Sequence, residues 1–205
     1  MKRTKLPKRL GFLQEAQNRE SFFNRIALIW PRSDPRYIAI ERAYDTAKDA
    51  FRHEIRDGGE RYFEHLRAVA LILIEHLRVR DHELIITALL HDLVEDIRSW
   101  TIERVRREFG ERVAFLLDYL TKPSKKEYPD KDDRDHAYHY RFRAAPRDFF
   151  LIKLADRLHN LLTLAFCPEE KRARKIKETR EHYLPYAEKE QLLIHELEEA
   201  LAAVK

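Results

Sequence analysis

The sequence predicts an all-α helical bundle, and three observations carry that expectation. Only 4 of 205 residues are glycine, and alternating apolar–polar runs of the strand type are few. Apolar residues recur instead at intervals of three and four through long stretches. The clearest stretch runs from Glu83 to Ile97, where Ile86, Leu89, Leu90, Leu93, Val94 and Ile97 make one broad apolar face. The opposite side carries His91, Asp92, Glu95 and Asp96, with Ala88 one turn earlier, small enough to leave room for a ligand. Three acids and a histidine beside an apolar face are costly to desolvate without compensating charge. No Lys or Arg lies between Glu83 and Ile97, so a metal ion or a cation from elsewhere in the chain is expected there.

The length suits one domain with a sizeable core, read as a basic N-terminal extension over residues 1–35 and a helical body over 36–205. Residues 1–36 hold nine Lys/Arg against three Asp/Glu, a net of +6; the rest holds 31 against 33, a net of −2. Such an arm offers a surface to RNA or another polyanion; the reading adopted is a soluble extension without nucleic acid as partner. The longest unbroken apolar run, Ala68 to Ile74, is too short to span a bilayer, so no membrane role is expected. The start lacks the apolar segment of a secretory signal. A single Cys167 rules out an intramolecular disulfide and fits a reducing cytoplasm.

Residues 1–20 read as loosely structured, followed by a short helix from Ser21, capped by that serine, to Trp30 before Pro31. From Pro35, Ile38, Tyr44, Ala47, Phe51 and Ile55 lie at helical spacing up to the turn Asp57-Gly58-Gly59. RYFEHLRAVALILIEHL reads as a buried helix with His65 facing the same way as Val69 and Ile72. After the central stretch, Thr101 to Leu120 reads as a helix broken at Gly110. Residues 122–148, with three prolines and many charges, read as a polar loop with a short helix over 133–143. Phe150 to Leu164 gives a second buried helix with a polar stripe of Asp156, His159, Asn160 and Thr163. Two amphipathic helices parted near Pro185 close the chain. Leu193, Leu197 and Leu201 share a side that packs on the domain or on a second copy, which leaves a homo-oligomer open.

A lone histidine on an apolar face is ordinarily a hydrogen-bonded core residue. Matching polar stripes on separate buried helices change that reading. His65, the pair His91-Asp92, and Asp156 form a set of two imidazoles and two carboxylates that neutralises a divalent cation. Mixed nitrogen and oxygen ligands suit Mn²⁺, Fe²⁺ or Zn²⁺ better than Ca²⁺. Glu95 and Asp96, one turn on, are then placed to position and deprotonate an attacking water.

Five blocks carry a resemblance: GGERYFEHLRAVALIL, TALLHDLVEDI, FGERVAFLLDYLTK, LIKLADRLHNLLTL and KRARKIKETREHYLPYA. In this order and spacing, over residues 40–190, the sequence resembles the hydrolase domain of RelA/SpoT-type proteins, of the HD phosphohydrolase superfamily. The resemblance implies an HD-domain helical bundle, a guanosine-3′,5′-bis(diphosphate) 3′-pyrophosphohydrolase that takes an alarmone nucleotide as substrate and Mn²⁺ as cofactor. It implies metal binding at His65, His91, Asp92 and Asp156, and water handling at Glu95 and Asp96. It further implies nucleotide contacts at Arg56, beside the base, at Asn160, near the sugar, and at Thr163. The sequence departs from the family at Leu66, where a proline is usual, at Gly58-Gly59-Glu60-Arg61-Tyr62, and at Ile97, where threonine is usual. The segment HYRFRAAPRDFF resembles compact stand-alone members, and the expected activity is hydrolysis alone. The alternatives are an HD phosphohydrolase for a related nucleotide, an adenosine analogue or a 2′-phosphorylated dinucleotide, and a non-catalytic nucleotide sensor.

Overall fold

The computed structural model describes residues 8–13 and 17–204. A 3₁₀ turn over Lys8–Leu13 precedes α1 (Arg19–Ala27), α2 (Pro35–Ala50) and α3 (Tyr62–Leu71), which runs on into a π turn at Ile72–His76. Then come α4 (His82–Leu90), α5 (Leu93–Asp96), α6 (Ile102–Phe109), α7 (Glu111–Leu120) and α8 (Lys131–Arg141). The chain closes with α9 (Arg147–Leu162), α10 (Glu169–His182), α11 (Leu184–Glu190) and α12 (Ile194–Ala203). Among the described residues there is no strand, only an isolated antiparallel bridge between Ile55 and Arg61. The all-α expectation is met. No helix among the described residues is long and apolar enough to cross a membrane.

α4 is the hub. The Asp81 carboxylate accepts hydrogen bonds from the backbone N–H groups of Glu83 (2.9 Å) and Leu84 (3.3 Å), which starts the helix with two otherwise unpaired donors satisfied. Every residue from Leu84 to Leu90 is buried, and the helix packs against α2, α3, α7 and α9. α3 and α9 also touch each other. The helices that carry His65 and Asp156 therefore meet α4 next to its C-terminal end, where His91 stands.

Several sequence expectations are corrected. Glu83–Ile97 is not one helix with a polar face: α4 is buried all round, and the chain breaks at His91-Asp92 before α5. His91 Nδ1 bonds the Ala88 carbonyl at 2.9 Å, and Asp92 takes φ −99°, ψ 0°. Ala88, fully buried, therefore contributes its carbonyl and not ligand space. The first helix is capped by Asn18, not Ser21; Ser21 supplies the other half of a reciprocal capping box. α2 stops at Ala50, so Ile55 lies outside it; Ile55 and Ile38 are exposed while Ile40 is buried. The short helix expected over 133–143 is present as α8, starting two residues earlier. Tyr138 is buried and donates its hydroxyl to the Leu120 carbonyl at 2.9 Å, which docks α8 on α7. Three helices, not two, follow Pro168, and Leu193, Leu197 and Leu201 are buried within the chain itself, where α12 packs on α9.

Of the N-terminal segment, residues 1–7 and 14–16 lie outside the described residues. Within residues 1–20, read as loose, Leu10 is fully buried in its 3₁₀ turn; Phe22, Phe23, Ile26 and Trp30, in the segment read as helical, are buried as well.

Candidate metal centre and its cavities

His65 on α3, His91 just past α4 and Asp156 on α9 converge. One ligand atom from each lies within 4.8 Å of the others, and all three residues are buried. His65 Nε2 is 3.2 Å from Asp156 Oδ1, and His91 Nε2 is 3.7 Å from the same oxygen. Asp92 stands at the rim: its Oδ2 is 3.1 Å from His91 Nε2 and 3.8 Å from His65 Nε2. The break after α4 explains how adjacent residues both reach one point, which a continuous helix would set about 100° apart. His91 Nε2 is buried and has no hydrogen-bond partner among the described residues. Its other nitrogen is committed to Ala88, so Nε2 is the donor left for a cation.

The surroundings hold these groups in place. Asp156 Oδ1 accepts from Asn160 Nδ2 at 2.5 Å, and its Oδ2 accepts from Lys153 Nζ at 3.0 Å. Burial opposes ionisation of Asp156, but Lys153 and the two imidazoles outweigh it and hold the carboxyl well below its ordinary range. Tyr62, stacked on Phe51 at 4.8 Å, donates its hydroxyl to Asp92 Oδ2 at 2.7 Å. Burial and the charge of Asp92 push its phenol far up, so it stays a donor. His65 is pushed down to about 4 by burial and by the Arg56 charge, which keeps it neutral.

Arg56 is fixed by the turn that Gly59 closes: Gly59 N bonds the Arg56 carbonyl and Arg56 N bonds the Glu60 carbonyl, each at 2.9 Å. Gly59 has φ +83°, a conformation glycine adopts without strain. The guanidinium donates to Asn160 Oδ1 at 2.7 Å and lies 3.2 Å from His159 Nδ1. Thr163 is the residue ending α9; its hydroxyl lies 3.1 Å from the His159 carbonyl and 3.3 Å from that of Asn160. Tyr62, Lys153 and His159 had no role in the sequence reading. His159 alone left a signal, as a member of the polar stripe on α9.

A model of the HD domain family matches residues 43–192. The chain belongs to the HD domain family. It is 43% identical over 150 residues to a guanosine-3′,5′-bis(diphosphate) 3′-pyrophosphohydrolase of Aquifex aeolicus (strain VF5), covering 72% of this chain and 21% of that one. It is 38% identical over 166 residues to the bifunctional (p)ppGpp synthase/hydrolase SpoT of Escherichia coli (strain K12), covering 79% of this chain and 23% of that one. The chain thus spans about a fifth of the length of these curated relatives. A solved structure described as a metazoan ortholog of SpoT that hydrolyzes ppGpp superposes with a TM-score of 0.72 at 24% identity, covering 80% of this chain and 94% of that one. That likeness bears on the fold.

In this HD domain the candidate metal centre opens as a cavity of about 200 Å³ whose walls include Asp92, Asp156 and Tyr62. On one side Tyr62, Asn160 and Lys175 are shared with a second cavity of about 280 Å³, bounded by Arg56, Thr163 and Leu164. On the other side Glu95, Asp96 and Lys122 are shared with a third, of about 840 Å³. Glu95 and Asp96 are exposed at this mouth, and the Lys122 backbone N–H bonds Glu95 Oε2 at 3.3 Å. Partial withdrawal from water and the charges of Asp92 and Glu95 push the Asp96 carboxyl up to about 6.

Proposed function

We propose that the chain is a metal-dependent 3′-pyrophosphohydrolase acting on guanosine tetra- and pentaphosphate, releasing pyrophosphate and leaving GDP or GTP. The observation that carries the reading is the buried, unpartnered Nε2 of His91 beside His65 and Asp156, with two acids at the mouth. This donor set fits a divalent cation. Together with Asp92 it offers two imidazoles and two carboxylates, which suits Mn²⁺ and disfavours an all-oxygen ion such as Ca²⁺; against burial, Asp92 and Asp156 push His91 up to about 10, so a cation takes the place of its proton. When bound, the cation supplies Lewis acidity toward water and phosphoryl oxygen. The relatives' names support the nucleotide.

In this scheme the guanidinium of Arg56 lies against the purine face in the cavity it shares with Thr163. Asn160, one turn from Asp156, holds the ribose near the metal centre. Glu95 and Asp96 orient the attacking water and take its proton. The water oxygen bonds to the phosphorus attached at O3′, the P–O3′ bond breaks, and O3′ leaves as the ribose hydroxyl after taking a proton. The setting is the cytoplasm, where Cys167 stays a free thiol.

The test is pyrophosphate release under multiple turnover by chelator-treated protein, with and without added Mn²⁺. Guanosine 3′-pyrophosphates run beside their adenosine counterparts and a 2′-phosphorylated dinucleotide. Turnover should need the metal and favour the guanosine substrates. Unchanged turnover by protein shown metal-free by elemental analysis would sink the proposal. Preference for another nucleotide would move the substrate while keeping the chemistry.

A further inference from the structure

The cavity outside Glu95 and Asp96, about 840 Å³, is lined by four cations, Lys122, Lys125, Arg134 and Arg141, and by Asp118 and Glu127 besides those two acids. Two of the cations are already neutralised: Lys122 Nζ bonds Asp135 at 2.7 Å and Arg141 Nη2 bonds Asp118 at 2.8 Å. Lys125 is exposed to solvent. Arg134 differs from all three. It is half-buried on α8, its side chain makes no hydrogen bond or ion pair among the described residues, and its buried Nε has no partner. A guanidinium beside a cavity with no counter-ion among the described residues is a site for an anion, which its terminal nitrogens would meet.

The order of the cavities says which part of a ligand reaches it. The metal-centre cavity lies between the Arg56 cavity, through Tyr62 and Asn160, and this one, through Asp96 and Lys122. On the function proposed above, the base lies at Arg56 and the phosphoryl group on O3′ lies at the centre. The chain of the substrate then continues past Asp96, and the group entering next is the second phosphoryl of the 3′-pyrophosphate. We propose that Arg134 anchors this terminal phosphoryl group and so selects pyrophosphorylated over monophosphorylated 3′ positions. A guanidinium fork matches phosphate oxygens two at a time, which a lysine does not reproduce.

Arg134→Gln and Arg134→Lys are compared with wild type on guanosine 5′-diphosphate carrying either a 3′-diphosphate or a 3′-monophosphate. Both substrates have the same 5′ chain. Loss of the anchor should lower kcat/KM for the 3′-diphosphate by about 10- to 100-fold and leave the 3′-monophosphate nearly unchanged, with Lys partly restoring it. Equal losses on both substrates would assign Arg134 to the 5′ chain or to structure, and overturn the proposal. Calorimetric binding of inorganic pyrophosphate and of inorganic phosphate to Mn²⁺-loaded protein needs no turnover, so it stands even if the nucleotide assignment fails. Pyrophosphate should bind more weakly to Arg134→Gln by a similar factor, with phosphate little affected. Unaltered pyrophosphate affinity would refute the subsite.

Discussion

His65 Nδ1 and His159 Nδ1 face each other at 2.9 Å, and Arg56 decides which of them carries the proton. A guanidinium only donates, and its Nη1 lies 3.2 Å from the same His159 nitrogen. Burial, His65 and Arg56 also hold His159 well below its ordinary value, so it is neutral. His159 Nδ1 is therefore the acceptor, His65 Nδ1–H the donor, and the His65 lone pair sits on Nε2, facing Asp156. On the proposed function, this is the outer support that orients the imidazole toward the cation.

Replacing His159 by Phe keeps the ring and removes the acceptor. The dissociation constant for Mn²⁺ should rise by about 10- to 100-fold, while the melting temperature of the metal-free protein moves little. Metal titration followed by calorimetry reads it. An unchanged dissociation constant would mean that His65 needs no such support.

Glu95 and Asp96 are exposed at the mouth of the candidate centre, and on the proposed function they act on water and do not bind the metal. Glu95→Gln and Asp96→Asn keep shape and polarity but no longer accept a proton at neutral pH. Each should cut kcat by about 10²-fold or more, with metal content and KM near wild type. Should both variants turn over normally, the two acids would be structural.

Glu178 gives a stability prediction away from the centre. Burial would raise its carboxyl, but contact with His139, 3.3 Å away, and the charges of Arg157 and Lys175, at 3.1 and 3.0 Å, hold it far below its ordinary value. A depressed folded pKa stabilises the fold above the unfolded value near 4.5, and that contribution is lost as pH falls below it. Glu178→Gln leaves Arg157 buried without its counter-ion and should cost about 3 kcal/mol at pH 7. In urea unfolding, the gap to wild type should hold from pH 7 to 5 and close below pH 4.5. A gap that stayed constant down to pH 3 would contradict the linkage.

His91, Asp92 and Asp156 were legible because they stood in polar stripes on apolar stretches with a shared charge problem, and His65, alone on an apolar face, became legible only beside them. The break at His91-Asp92 was not legible: no Gly or Pro marks it, and it depends on the His91 contact with the Ala88 carbonyl. Periodicity also placed Ile38 and Ile55 on the same face as Tyr44, Ala47 and Phe51, which are buried, whereas Ile38 is exposed and Ile55 is exposed beyond the end of α2. Tyr62 and Lys153 escaped notice because their roles arise from contact with Asp92 and Asp156. For Tyr62 that contact crosses between elements far apart in sequence. The unpaired state of Arg134 is likewise a tertiary fact, invisible in a segment where charges alternate.

Arg56 and Asn160, read from sequence as separate nucleotide contacts, are joined in the structure. Arg56 Nη2 donates to Asn160 Oδ1 at 2.7 Å, and Asn160 Nδ2 donates in turn to Asp156 Oδ1 at 2.5 Å. The carboxamide is thus held at both ends, and its orientation depends on the guanidinium. Either single change, Arg56→Ala or Asn160→Ala, should raise KM for the nucleotide, and the double variant should be little worse than the more damaging single. The coupling energy in the cycle should fall between about 1 and 3 kcal/mol. Asn160→Ala should also weaken Mn²⁺ binding several-fold, because Asp156 loses a donor that orients it; Arg56→Ala should do so less. Steady-state kinetics on the four proteins, with metal titration alongside, separate the cases. If the two effects add to within about 0.5 kcal/mol, Arg56 and Asn160 act independently and the guanidinium does not position the amide.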